Sequence, residues 1–176
     1  SKNFKTFEEY VSSRRPFGLD SSFINSKDFK ASKKGITTPL ICYGKAKSIG
    51  YVEKSHFSFN DDLVNCYKVF TPYANNIGTE LNDDNGVPGS ICTETYIIIG
   101  YNLELNKTSA KNLTKYFTTK FSRFLHSLAK ASHHGTAKTY RFVPLQDFTP
   151  NSDIDWNKSI PEIDRQLYSK YGLTDE

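Results

Sequence analysis

Apolar residues recur along this chain at two rhythms, and the change of rhythm divides it. Between residues 110 and 130, Leu113, Tyr116, Phe117, Phe121, Phe124, Leu125 and Leu128 recur at three- and four-residue steps. Steps of that size place side chains on one stripe of an α-helix. The segment therefore predicts one long helix packed on a core, with Lys111, Lys115, Thr118, Thr119, Ser122, Arg123, His126 and Lys130 on its outer face. Phe4, Phe7, Tyr10 and Val11 predict a short helix over about residues 4–13. Arg14-Arg15-Pro16 ends it, because proline cannot continue a helix and disfavours helix at the residue before it. Near the end, Ser159-Ile-Pro-Glu162 has capping-box spacing with proline in the first turn. Ile163, Leu167, Tyr168 and Tyr171 then line one side of a helix that stops at Gly172. Thr174-Asp-Glu176 has the signature of another helix start, so the tail reads as the beginning of a helical hairpin and the chain as cut from a larger protein.

Elsewhere the rhythm is that of strands. Residues 39–47, 49–53, 68–73, 91–99 and 138–144 are rich in β-branched and aromatic residues and bounded by turn formers. The unbroken Ile97-Ile98-Ile99 predicts burial on both faces. Lys45 and Lys47, two apart, would share one face of a strand. Residues 74–90, with Asn75-Asn76, Gly78, Asn82-Asp-Asp-Asn-Gly86 and Pro88-Gly89, form the longest irregular stretch. Together these elements predict an α+β fold. A small, mostly antiparallel mixed sheet carries one long packed helix, followed by a C-terminal helical extension. The 176 residues suit one domain over 1–150 with that extension over 151–176.

Composition narrows the chemistry. Thirteen phenylalanines and eleven tyrosines supply a core. No apolar run reaches the length of about 18 residues that would span a membrane. Cys42, Cys66 and Cys92 are odd in number and widely spaced, which points to a reducing, cytoplasmic setting without a disulfide framework. With no secretory leader, no Cys-x-x-Cys pair and no ligand spacing among His56, His126, His133 and His134, no metal is expected. Neither a Gly-x-Gly-x-x-Gly nor a phosphate-binding Walker loop is present. The segment thus carries no cofactor motif and no catalytic constellation.

Charge changes the picture most. The net value is only +4, but it is unevenly laid down. Residues 1–60 hold eleven basic and five acidic groups, 61–106 one and seven, 107–146 eight and none, and 147–176 three and seven. Single-sign blocks of this size answer to a polyanion. Lys33, Lys34, Lys45, Lys47, Lys115, Lys138 and Arg141 are candidates to hold phosphates and set register. Arg14, Arg15, Asn75, Asn76, His133 and His134, on turns and loops, are candidates to read base edges. Arginine forks onto guanine and asparagine pairs with adenine.

The motifs also occur in a familiar order. Lys68-Val-Phe is followed by Ala74 and Gly78 in a loop, then Cys92-Thr-Glu-Thr-Tyr-Ile97 and Thr119-Lys-Phe-Ser-Arg-Phe-Leu125. Tyr140-Arg-Phe-Val-Pro-Leu-Gln-Asp-Phe148 and Ile163-Asp-Arg-Gln-Leu-Tyr-Ser-Lys-Tyr-Gly-Leu-Thr174 complete the series. From about Lys68 onward it resembles the C-terminal part of adenine-specific DNA methyltransferases of bacterial restriction–modification systems. In that family an N-terminal catalytic domain binds S-adenosylmethionine and holds the flipped adenine with an Asn-Pro-Pro-Tyr-type motif, and neither feature occurs here. The resemblance implies a target recognition domain that docks on double-stranded DNA beside its own catalytic domain, the parent being the enzyme. It places Phe121, Phe124, Tyr140, Phe142 and Tyr96 in the core, and Asp147 and residues 156–171 at the closure of the fold or facing the catalytic domain. The alternative is a protein–protein module that docks subunits of such a complex. Dense aromatics raise RNA binding as a third reading, but their core-like spacing counts against exposed stacking platforms.

Overall fold

The computed structural model describes residues 4–57, 61–74, 86–131 and 134–174. It has an α+β fold. The strands are β1 (Pro39–Tyr43), β2 (Ile49–Glu53), β3 (Val69–Pro72), β4 (Ser90–Cys92) and β5 (Tyr96–Ile99). The helices are α1 (Asp61–Asn65), α2 (Lys107–Thr118), α3 (Lys120–Ala129) and α4 (Ile160–Tyr171).

The single expected sheet is two. β1 pairs antiparallel with β2 and parallel with β4, whereas β3 and β5 form a separate antiparallel ribbon. The expected strand over 91–99 is cut in the middle because Thr93, Glu94 and Thr95 turn the chain: the Tyr96 amide bonds back to the Thr93 carbonyl at 3.2 Å. One half then joins each sheet. The ribbon lies between two cores. Val69, Ile97 and Ile99 enter one, and Phe70 and Ile98 the other. All three isoleucines are fully buried, as three adjacent apolar residues require when both faces of a strand are covered.

The expected long helix is also broken. Thr119 is extended (φ −65°, ψ 151°) and separates α2 from α3. Its hydroxyl donates to the Tyr116 carbonyl at 2.6 Å and accepts from the Ser122 amide at 3.2 Å. The Ser122 hydroxyl donates to the same carbonyl at 2.6 Å. Threonine and serine side chains at this spacing offer the backbone an alternative to helical bonding. Asp164 of α4 completes the joint by accepting from the Lys120 and Phe121 amides at 3.0 and 2.9 Å, so a carboxylate caps the new helix start.

Three further expectations change. The N-terminal helix shrinks to a 3-10 turn, Phe7–Tyr10, because Thr6 pairs with Pro144 and Val11 with Ile99 on either side of it. Residues 138–144 are not a strand: Ala137–Tyr140 is a 3-10 turn held by reciprocal Thr136 and Thr139 bonds. Phe124 and Phe142, expected in the core, are 62% and 43% exposed. The break at Thr119 re-aims the second half of the apolar stripe. Phe121 stays buried against Tyr168 and Tyr171 of α4, and Phe124 and Leu128 lie outside.

The C-terminal helix keeps its signals. Ser159 and Glu162 form the capping box, and Gly172 ends α4 at φ 66°, a conformation that costs glycine nothing. The tail belongs to the helical core: Ile154, Trp156, Ile163 and Leu167 pack with Phe7, Leu113, Tyr116 and Phe148.

Candidate nucleic-acid interface

Four separate stretches of chain meet at one end of the β3–β5 ribbon. Val11 and Ser12 lie along the edge of β5: the Ser12 amide donates to the Ile98 carbonyl at 2.8 Å, and the Ser12 hydroxyl accepts from the Ile98 amide at 2.9 Å. The chain leaves this edge as the turn Arg14–Gly18, closed by the Gly18 amide on the Arg15 carbonyl at 3.0 Å. Beyond β3, the Tyr73 amide donates to the Thr95 carbonyl at 2.8 Å. Alongside Tyr73 the segment after α3 returns. Ala74 pairs with His134, and the Gly135 amide donates to the Tyr73 carbonyl at 2.8 Å.

Glu94 organises what these stretches carry. Its carboxylate, nine-tenths buried, accepts from the Arg14 and Arg15 guanidiniums at 2.9 Å each and from the Ser21 amide at 3.1 Å. The Arg15 bond above all, then the Ser21 amide, holds the Glu94 carboxyl below the usual glutamate range. The two guanidinium-bearing side chains remain 53% exposed. Each is therefore fixed along one edge while its other N–H groups stay available, which is the presentation that forked recognition of phosphate or guanine needs. Arg15 sits at φ 56°, strain that persists only where surrounding contacts over-determine it. The Arg14 guanidinium lies 4.9 Å from the centre of the Tyr73 ring. His134 stacks on Tyr73 at 4.8 Å with 24° between the planes. A cleft of about 330 Å³ opens here.

The structure thus brings three expected residues, Arg14, Arg15 and His134, into one site. The others are placed elsewhere. Lys33 and Lys34 are exposed on the loop before β1, which is held to β2 by backbone bonds between Lys30 and Tyr51 at 3.0 and 2.8 Å. Lys45 and Lys47 are not strand residues. They form the exposed tip of the β1–β2 hairpin, with Ala46 at φ 55° and Lys47 at φ 58°. Lys138 and Arg141 lie on the 3-10 turn and its exit rather than on a strand, and Arg141 covers Phe142 at 4.7 Å. Lys115, expected at phosphate, donates to the Trp156 carbonyl at 2.7 Å and braces α2 to the tail. Asn75, Asn76 and His133 lie outside the described residues.

Sequence reasoning missed Glu94 and Tyr73. The signal for Glu94 was visible, since it is the only acidic residue between Asp84 and Glu104 and interrupts the most strand-like stretch of the chain. A charge at such a position conflicts with its local pattern, and such conflicts mark sites. The thiols offer no second chemistry: burial pushes Cys42 up to about 12 and Cys92 well above its ordinary value, so neither is a thiolate near neutral pH. Among the described residues no three His, Cys, Asp or Glu side chains converge on a metal position, and no helix is long and apolar enough to cross a membrane. No protein-family model, curated protein or solved structure matches this chain.

Proposed function

We propose that this chain is the target recognition domain of an adenine-N6 DNA methyltransferase from a restriction–modification system. It docks on duplex DNA and positions the site for base flipping by a separate catalytic domain. That domain would hold S-adenosylmethionine and the reacting adenine, in the reducing cytoplasm. The observation that carries the DNA reading is the pair of exposed arginines held on one buried carboxylate; exposed lysines on the turns of the three-stranded sheet lie elsewhere on the same chain. Held arginines suit base or phosphate reading, and turn lysines suit phosphate contact. The assignment to the methyltransferase family rests on the motif order alone.

The test is fluorescence anisotropy of the chain with duplex DNA, from low to physiological salt. Binding should fall steeply with salt, because each phosphate contact releases counterions. Glu94→Gln separates positioning from bulk charge. It removes a negative charge, which simple electrostatics would reward with tighter binding. If Glu94 aims the arginines, binding should instead weaken roughly tenfold, within the worth of one good base contact. Tighter binding by Glu94→Gln would overturn the arginine reading. A subunit-docking role is the second reading, favoured by Phe124 and Leu128, 62% and 56% exposed on one stripe of α3. Absence of DNA binding even at low salt would leave that role standing.

A further inference from the structure

The arginine turn accounts for only part of the cleft. The Tyr73–His134 stack stands beside it. We propose that this stack is the platform for a single nucleobase taken out of the DNA helix, an inference that rests on the DNA-recognition reading and deepens it.

The geometry is that of a built aromatic surface. Tyr73 is fixed by its amide on Thr95 and its carbonyl on Gly135, at 2.8 Å each. The pairing of Ala74 with His134 sets the imidazole over the phenol ring through the backbone. The rings are 4.8 Å apart and within 24° of parallel, and His134 is exposed at the surface. Every base has a π-face, so a flat exposed ring accepts any of them. The cleft of about 330 Å³ stands at the small end of ligand sites, which run from about 300 to 1,000 Å³. That suits one base rather than a base pair. Groups for a base edge line the same cleft: the Arg14 guanidinium donates, the Glu94 carboxylate accepts and the Thr95 hydroxyl does either. Arg14, over Tyr73 at 4.9 Å, adds a cation to the stack. An intact duplex must unstack a base to use such a platform, whereas a bulge supplies one without that cost.

The experiment compares anisotropy titrations of the 176-residue chain with three labelled DNAs: a paired duplex, the same duplex with one unpaired adenine, and the single strand. The bulged duplex should bind about tenfold more tightly than the paired one, within the range of one base–aromatic stack. His134→Ala should abolish this preference, and His134→Phe, which keeps a flat ring, should retain it. A wild-type chain that binds paired and bulged DNA equally overturns the platform and leaves the recognition reading intact, as does a preference that survives His134→Ala. Binding to none of the three DNAs overturns both. Single-strand binding lost in His134→Ala and kept in His134→Phe supports the platform even where paired binding is weak.

Discussion

The two cores on either side of the β3–β5 ribbon are built from different materials. The helical core is dense in aromatic rings: Phe7, Tyr116, Phe117, Phe121, Tyr140, Phe148 and Trp156 are all buried in it, most in tilted or edge-on pairs at 4.8 to 6.4 Å. It is closed by side-chain bonds to distant backbone, such as Asp164 to the start of α3, the Tyr116 hydroxyl to the Pro144 carbonyl at 2.8 Å, and Trp156 to the Asp147 carbonyl at 2.9 Å. The sheet core is smaller, built on Leu40, Cys42, Val52, Val64, Ile91 and Cys92, and is covered by turns. Phe29, for instance, packs where any side chain on Gly50 would stand. The difference governs what each half does with its basic residues. The helical half ties some of them in, Lys115 to Trp156 and Lys170 to Asp153 and Gln146, while Lys107, Lys111, Lys120, Arg123, Lys138 and Arg141 are exposed. On the sheet half, Lys33, Lys34, Lys45 and Lys47 are exposed on turns. Lys115 and Lys170 thus brace the helical half, whereas Lys33, Lys34, Lys45 and Lys47 present a field of charge on the sheet half.

Both halves bury a group whose charged form burial disfavours, and the largest expected effects come from these. In the helical half His126 contacts the Thr139 hydroxyl at 2.8 Å and stacks on Tyr140 at 4.1 Å. Burial, then the nearby Lys130 ammonium, lowers it to about 4 from an ordinary value of 6.5. In the sheet half Lys68 is fully buried, donating to the Val64 and Cys66 carbonyls at 3.3 and 3.2 Å, and burial lowers it to about 8 from 10.5. In each case the unfolded chain binds more protons between the two values, so stability rises with pH through that window. Acidification from pH 6.5 to 4 should cost up to about 3 kcal/mol from His126, read by urea unfolding, and His126→Gln should flatten that slope. Raising the pH from 8 toward 10 should stabilise the protein through Lys68, and Lys68→Met should remove the gain. A pH slope unchanged in either variant would break the pairing of group and half.

Asp164→Ala comes next. It strands two amides at the α3 start, at a cost of about 1–3 kcal/mol. Hydrogen exchange should rise in α3 before it rises in β1 and β2; uniform loss of protection would mean the two cores do not differ in how they are held. The last prediction concerns the lysines. Lys45→Glu with Lys47→Glu should lower the salt dependence of DNA binding by about one unit per lost phosphate contact, with the fold unchanged. Lys115→Ala should reverse the pattern, costing about 1 kcal/mol of stability and leaving the salt dependence unchanged. Equal effects of the two on binding would erase the distinction between brace and field.

Part of this arrangement was legible in advance. The ends of α4 were readable because Ser159, Glu162, Pro161 and Gly172 act within a few residues of one another. The burial of Ile97 to Ile99 was readable because three adjacent apolar residues cannot all face one side of a strand. The break at Thr119 was half legible: Thr119 and Ser122 stand at capping spacing, but the periodicity of Phe121 to Leu128 runs on as if nothing intervened. The carboxylate that completes the break comes from Asp164, 44 residues away. Of the candidate site, Arg14, Arg15 and His134 were named from charge and turn chemistry. Their meeting place was not, because Glu94 and Tyr73 lie in other segments and no local pattern records a partner 79 residues off.

By itself, then, the sequence determined the class of fold, the caps of its last helix, the doubly buried strand and the sign of charge on each stretch. All of these follow from propensities and periodicities that act within a turn or a few residues. The tertiary structure alone decided the division into two sheets, the kink between α2 and α3, which lysines are drawn in, and the gathering of two arginines, a tyrosine and a histidine around one carboxylate. Each of those depends on contacts between residues far apart in the chain, whose energies exceed the local preferences they override.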